Sequence, residues 1–304
     1  MHSKFYNISR KLLTEKKRQQ LKKYYRQWYY NQNRFKKLFY KSITSDEMIN
    51  QIDKKINHKY DILMVHSAFT KLLPIFIDSP AVLLDKLINL TNRQNKTLAM
   101  PAFFFGRSIT DNTMEYYKNN PFFDLSKTRS QMGIITELFR NYPGVKRSIH
   151  PSHSICALGP LADELTSNHH LCDSTFGKGT PYHKMTLFNT TILGIAVEYF
   201  RCLTQVHCAE DLLGDQFPIK STCAEIPITI TDNGEKFKTI NFHFRKFNYH
   251  TRKTTRLRKI IPKKDLVEWQ NKGIPFFYTN AFSVTDALLN SARNNYTIYI
   301  ENRT

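Results

Sequence analysis

Residues 193–211, LGIAVEYFRCLTQVHCAED, decide how the rest of the chain is read. The apolar run ending in Leu193, Gly194 and Ile195 predicts a buried strand that stops at a turn, and the residues after it predict a helix carrying His207 and Glu210. Positions three apart on a helix share a face. Glu210 can therefore fix the tautomer of the His207 imidazole while the other ring nitrogen takes a proton from a substrate. Taken alone, the pair reads first as a satisfied core or capping histidine, and it gains weight only from its neighbours.

Outward from that stretch the chain alternates. Short apolar runs at 61–65, 97–101, 154–158 and 190–196 predict buried strands; residues 82–93 and 133–140 predict helices, the second closed by Tyr142-Pro143-Gly144. Strand, helix and strand in succession predict an α/β class with a mixed, partly parallel sheet and helices on both faces. His66, Ser67 and Ala68 sit in the turn after the first strand, where free backbone N–H groups can meet a phosphate or carbonyl oxygen. Residues 44–57 predict a helix capped by Ser45 or Asp46, and 175–181, TFGKGTP, a loop. The polar, Asn-rich span 111–127 predicts a long loop. Downstream, 224–230 and 239–247 predict antiparallel strands joined through Asp232-Asn233-Gly234, followed by a helix at 283–294 and a last strand at 296–300.

Charge separates an N-terminal extension from this domain. Residues 1–41 hold 13 Lys/Arg against the single Glu15, interleaved with eight aromatics from Tyr24 to Tyr40 and without Pro or Gly. We read 1–43 as an extra basic, aromatic helix and 44–304 as the catalytic domain. The formal net charge of +20 calls for an anionic neighbour, and the mixture of cations and aromatics suits an anionic membrane surface held without a spanning segment. Nucleic acid uses the same charges but is the disfavoured partner. The ten Lys, Arg and His of 245–264, a span without acids, predict a solvated basic face. Five cysteines without a CxxC spacing argue against a disulfide framework and a zinc ribbon and fit reduced thiols. Because Lys and Arg interrupt every apolar stretch in the first 60 residues, the expected location is cytoplasmic, peripheral at the inner face of a membrane. A homo-oligomer is compatible with all of this.

Four stretches in order carry a resemblance: VHSAF at 65–69, LAMPAF at 98–103, MGIITELFR with RSIHPSHS within 132–154, and GTPYHK, LGI and TQVHCAE within 179–210. Together they resemble the aminoglycoside 3-N-acetyltransferase family, also called antibiotic N-acetyltransferases. The resemblance implies acetyl-CoA as cosubstrate, His207 as general base and Glu210 as the carboxylate orienting it. It also implies that His66, Ser67 and Ala68 contact the pantetheine and pyrophosphate of CoA, and that Arg129 and Ser130 lie in a cofactor-binding segment. Two departures stand out: Ala68 replaces the second serine of a His-Ser-Ser motif, and Leu73 stands where the family has a glycine.

His150 and His153 are the candidates for acceptor contact, with turn residues packed beside Pro151 as the other reading. A chain at +20 repels a polycationic acceptor within a Debye length of about 8 Å at physiological ionic strength, so the expected acceptor is a neutral or anionic carbohydrate of surface-polysaccharide synthesis. Three alternatives accompany this reading: acetylation of aminoglycoside antibiotics, a metal-dependent hydrolase using His150, His153, His169, His170, His207 and Glu210, and a non-catalytic module for an anionic surface. The hydrolase is weakened by His150-x-x-His153 crossing a proline turn instead of forming a helical i,i+4 pair, and no metal is expected.

Overall fold

The computed structural model describes residues 37–56, 59–107, 112–247 and 250–301. The basic helix expected over 1–43 thus lies, up to residue 36, outside the described residues. Ile43, the last residue of that extension, is fully buried, its N–H donates to Ile75 O (2.9 Å), and it bridges to Phe76. The helix Ser45–Ile56 then begins with a reciprocal cap in which Thr44 Oγ1 accepts from Glu47 N and Glu47 Oε2 accepts from Thr44 N, both at 3.2 Å. Thr44, one residue ahead of the expected caps, holds this end. Among the described residues no helix is long and apolar enough to cross a membrane.

Among the described residues twelve strands follow: β1 (Ile62–Ser67), β2 (Thr97–Pro101), β3 (Phe122–Asp124), β4 (Lys146–Arg147), β5 (Ile155–Leu158), β6 (Thr190–Ile195), β7 (Ser221–Asp232), β8 (Glu235–Phe247), β9 (His250–Arg252), β10 (Leu266–Asn271), β11 (Ile274–Asn280) and β12 (Tyr299–Glu301). Seven form the main sheet in the order β10-β11-β6-β1-β2-β5-β4. Its centre, β6-β1-β2, is parallel, and the flanking pairs are antiparallel. Along β1 the side chains alternate: Ile62 and Met64 join one core with the helices Pro181–Leu187, Val206–Leu213 and Ala281–Arg293, while Leu63 and Val65 join another with the helices Ser45–Ile56, Pro80–Asn92 and Ile134–Arg140. Each fully buried Leu or Ile contributes about 1.5–3 kcal/mol, which makes the register of these strands costly to slip.

Gly194 is required by packing. It pairs with Phe277 of β11, whose ring lies where a Cβ on residue 194 would sit. Directly after β6, Ala196 takes a left-handed backbone (φ 57°), a conformation that non-glycine residues hold only when the surroundings enforce it.

Two regions depart from expectation. The span 111–127 contains the helix Thr113–Asn119 and β3, because Tyr117 and Phe123 are buried against Ile226, Ile228, Ile230, Phe242 and Phe244 of the long β7–β8 hairpin. The basic span 245–264 is only partly a solvated face: Leu257, Ile260 and Ile261 are core residues, and Arg256 donates to the carbonyls of Thr297 (2.9 Å) and Tyr299 (3.0 Å).

Candidate active site

The parallel strands β1, β2 and β6 all end at the same edge of the sheet, and the order reverses at β1, whose neighbours on either side are β2 and β6. In open α/β sheets this is where ligands bind. Ser67 and Ala68 lie there. Gly133 comes alongside, since a Cβ added to it would meet only Ser67 O, at 3.9 Å. Ser130 is fixed at both ends, its N–H donating to Glu137 Oε2 (2.7 Å) and its Oγ accepting from Met132 N (3.1 Å), and Arg140 braces Glu137 at 2.8 and 3.0 Å. Arg129, next to it, is exposed. Ala68, Phe105 and Met132 pack against the core that contains Phe176 and Val206.

Ser67, the bare backbone of Gly133 and the exposed Arg129 thus belong to segments at or next to the strand ends. Two details narrow the expected roles. Ala68 N–H is already donated to Ile195 O (3.0 Å), so it is not among the free donors of this turn. Burial lowers the pKa of His66 to about 4, which makes its ring a neutral wall rather than a cation for pyrophosphate.

The second part of the site is built on the helix Val206–Leu213. Val206, Cys208, Ala209, Glu210 and Leu213 face the core, and His207 on the neighbouring arc is partly exposed. His207 Nδ1 lies 2.6 Å from Glu210 Oε2, and the Tyr299 hydroxyl donates to Glu210 Oε1 at 2.9 Å. The buried carboxylate is thereby satisfied on both oxygens, the imidazole proton is held on Nδ1, and Nε2 carries the lone pair. Arg252 Nη2 approaches that nitrogen at 3.0 Å. Phe176 flanks the ring at 4.9 Å between centroids.

His153 shares this wall, with its ring 4.8 Å from Phe176 and 4.9 Å from Phe103. Burial and then the nearby His207 hold its pKa well below the ordinary value. His150 is different. It is buried, its Nδ1 accepts the N–H groups of Ser152 (3.3 Å) and His153 (3.0 Å), and its ring stacks on His169 at 4.6 Å. Its burial and its Nδ1 are both engaged in the 148–153 turn, which is the other reading the sequence offered for it.

His169 joins the motif stretches: Ser148 Oγ contacts its Nδ1 (3.0 Å) and its Nε2 donates to Thr175 O (3.0 Å). Tyr182 OH reaches His153 O (3.2 Å), and Gln205 Nε2 donates to Tyr182 O (2.9 Å). These bonds bring 147–154, 175–184 and 204–210 into one place. Among the described residues no three His, Cys, Asp or Glu side chains form a group able to hold a metal ion.

Sequence reading missed Tyr299, Arg252 and Phe176. Arg252 was visible only as one cation in a basic run, and nothing local marks the other two.

The chain thus combines a partly parallel α/β sheet with a histidine–carboxylate pair on a helix. The family profile described as aminoglycoside 3-N-acetyltransferase matches residues 64–285, and the chain belongs to that family, whose members are acetyl-CoA-dependent acyltransferases. It is 33% identical over 102 residues to the SPbeta prophage-derived aminoglycoside N(3')-acetyltransferase-like protein YokD of Bacillus subtilis (strain 168), covering 34% of this chain and 35% of that one. The aligned part thus spans about a third of the length of that curated relative. The fold superposes on AAC-VIa bound to sisomicin with a TM-score of 0.67 at 17% identity, over 84% of this chain and 99% of that one. It superposes on AAC-IIIb in a binary complex with CoASH with a TM-score of 0.63 at 19% identity, over 84% and 98%.

Proposed function

We propose that this chain transfers an acetyl group from acetyl-CoA to an amine of an amino-sugar acceptor, the class to which aminoglycosides belong. The observation that carries the reading is the His207–Glu210 pair, with Nδ1 bound to the carboxylate and the lone pair of Nε2 facing away from it. The closeness of Gly133 to Ser67 O at the end of β1 supports Ser67, Ser130 and Arg129 as the residues that meet the cofactor in this reading. As the acceptor nitrogen bonds to the thioester carbon, His207 Nε2 takes the amine proton, the C–S bond breaks, and the proton passes to the departing thiolate. Glu210 stabilises the transient imidazolium. Tyr299 holds Glu210 in place.

The comparisons favour the aminoglycoside class as acceptor over the surface polysaccharide expected from charge, since the relatives are named for aminoglycosides. A steady-state assay of CoA release from acetyl-CoA, run with amino sugars, acidic sugars and sisomicin and paired with mass spectrometry of the acceptor, tests this. Acetylated amine is the expected product. Hydrolysis of acetyl-CoA unchanged by any amine would overturn the reading.

A further inference from the structure

Arg252 and Tyr299 stand directly opposite each other on the β9–β12 ladder. Directly opposed residues of an antiparallel pair project to the same face, and here that face meets the catalytic pair: Tyr299 OH reaches Glu210, and Arg252 Nη2 reaches His207 Nε2 at 3.0 Å. A guanidinium has no lone pair to accept with and does not give up its charge, so the contact has one sense. Arg252 donates to the lone pair that must receive the acceptor's proton.

Turnover therefore requires Arg252 to leave Nε2. Once the ring is protonated, two cations about 3 Å apart also repel. The second arginine on this side, Arg245, is already matched by Asp211 at 3.3 Å, whereas Arg252 is exposed and has no carboxylate partner among the described residues. An ammonium-rich acceptor gives it no counter-charge. An anionic oxygen group does, through paired charge-assisted hydrogen bonds to the planar fork.

We propose that Arg252 is a specificity-determining residue that reads a carboxylate or phosphate on the amino-sugar acceptor, and that pairing with this group draws the guanidinium off His207 and frees the base. This rests on the acetyl-transfer reading and narrows it to acceptors carrying both an amine and an anion.

The test compares the wild type with Arg252→Gln and Arg252→Lys on four probes: glucosamine, glucosamine 6-phosphate, glucosaminuronic acid and sisomicin. For each, kcat/KM is measured with saturating acetyl-CoA, and binding is measured by calorimetry in the presence of CoA. The wild type should prefer the phosphate or the uronate over glucosamine by about tenfold or more. The better of those two identifies the anion. Arg252→Gln should bring that ratio to within about twofold of unity and raise turnover of sisomicin, with Arg252→Lys intermediate because it keeps the charge without the fork. Equal scaling of all four probes by Arg252→Gln, or a wild type indifferent to the anion, would overturn the proposal. Charge-selective binding without any turnover would leave Arg252's role standing and overturn acetyl transfer; turnover whose charge preference ignores Arg252 would do the reverse.

Discussion

The two ends of the site are built by different means. At the strand end, Ser67 follows a buried run, Ser130 is bonded to residues two and seven positions away, and Gly133 opens a short helix. Around His207, only Glu210 is local; Tyr299 is 89 residues from Glu210 and Arg252 is 45 from His207. The strand end is thus a property of short segments, and the surroundings of His207 are a property of the whole fold. Damage should follow that division: changes at His207 should alter rate, changes at the strand end should alter cofactor affinity, and changes in the sheet beneath should cost stability at both.

The largest expected effect is on the base. His207→Ala should lower kcat by about 10²–10⁴ while leaving the melting temperature and CoA affinity unchanged, because a base acts only when the acceptor proton leaves. Near-normal kcat in that variant would end the division drawn above.

Next comes pH. His66, with its pKa lowered to about 4, and His169, lowered to about 3, are buried and neutral. In the unfolded chain they bind protons below about 6.5, so stability is full above that pH and falls as pH drops from 6.5 towards 3. The sum should reach a few kcal/mol in urea titrations between pH 7.5 and 4, on the order set by about 1.4 kcal/mol per pH unit for each group. A flat profile would place compensating protonation elsewhere.

Gly194→Ala should destabilise by about 1–3 kcal/mol through collision with the Phe277 ring, with kcat of the folded fraction retained. Tyr299→Phe strips Glu210 Oε1 of its donor and should cost about 1–3 kcal/mol together with a modest drop in kcat, so it separates from Gly194→Ala by touching both readouts. The smallest effect is expected from Arg129→Gln. An exposed charge contributes on the order of 1 kcal/mol or less, so KM for acetyl-CoA should rise a few-fold with kcat intact.

Much of this molecule was legible in one dimension. The three central strands, the helix over 80–92, the hairpin turn at Asn233-Gly234 and the His207–Glu210 pair all follow from patterns within a dozen residues: apolar runs, a 3.6-residue period, turn chemistry and i,i+3 spacing. The span 111–127 misled because its polar residues outnumber Tyr117 and Phe123, which become buried only when the β7–β8 hairpin arrives from a hundred residues on.

His150 and His153 show the same limit at smaller scale. They flank Pro151 at one and two residues, yet one ring turns inward to tie the 148–153 turn and the other shares the Phe176 wall with His207. By itself the sequence determined the class of fold, the family and the His207–Glu210 pairing, since each rests on patterns among near neighbours. Only the tertiary structure decided what stands on the far nitrogen of that imidazole. Arg252 reaches it because β9 pairs with β12 in a register that places Arg252 opposite Tyr299, and a register between strands 47 residues apart is set by how the surrounding core packs.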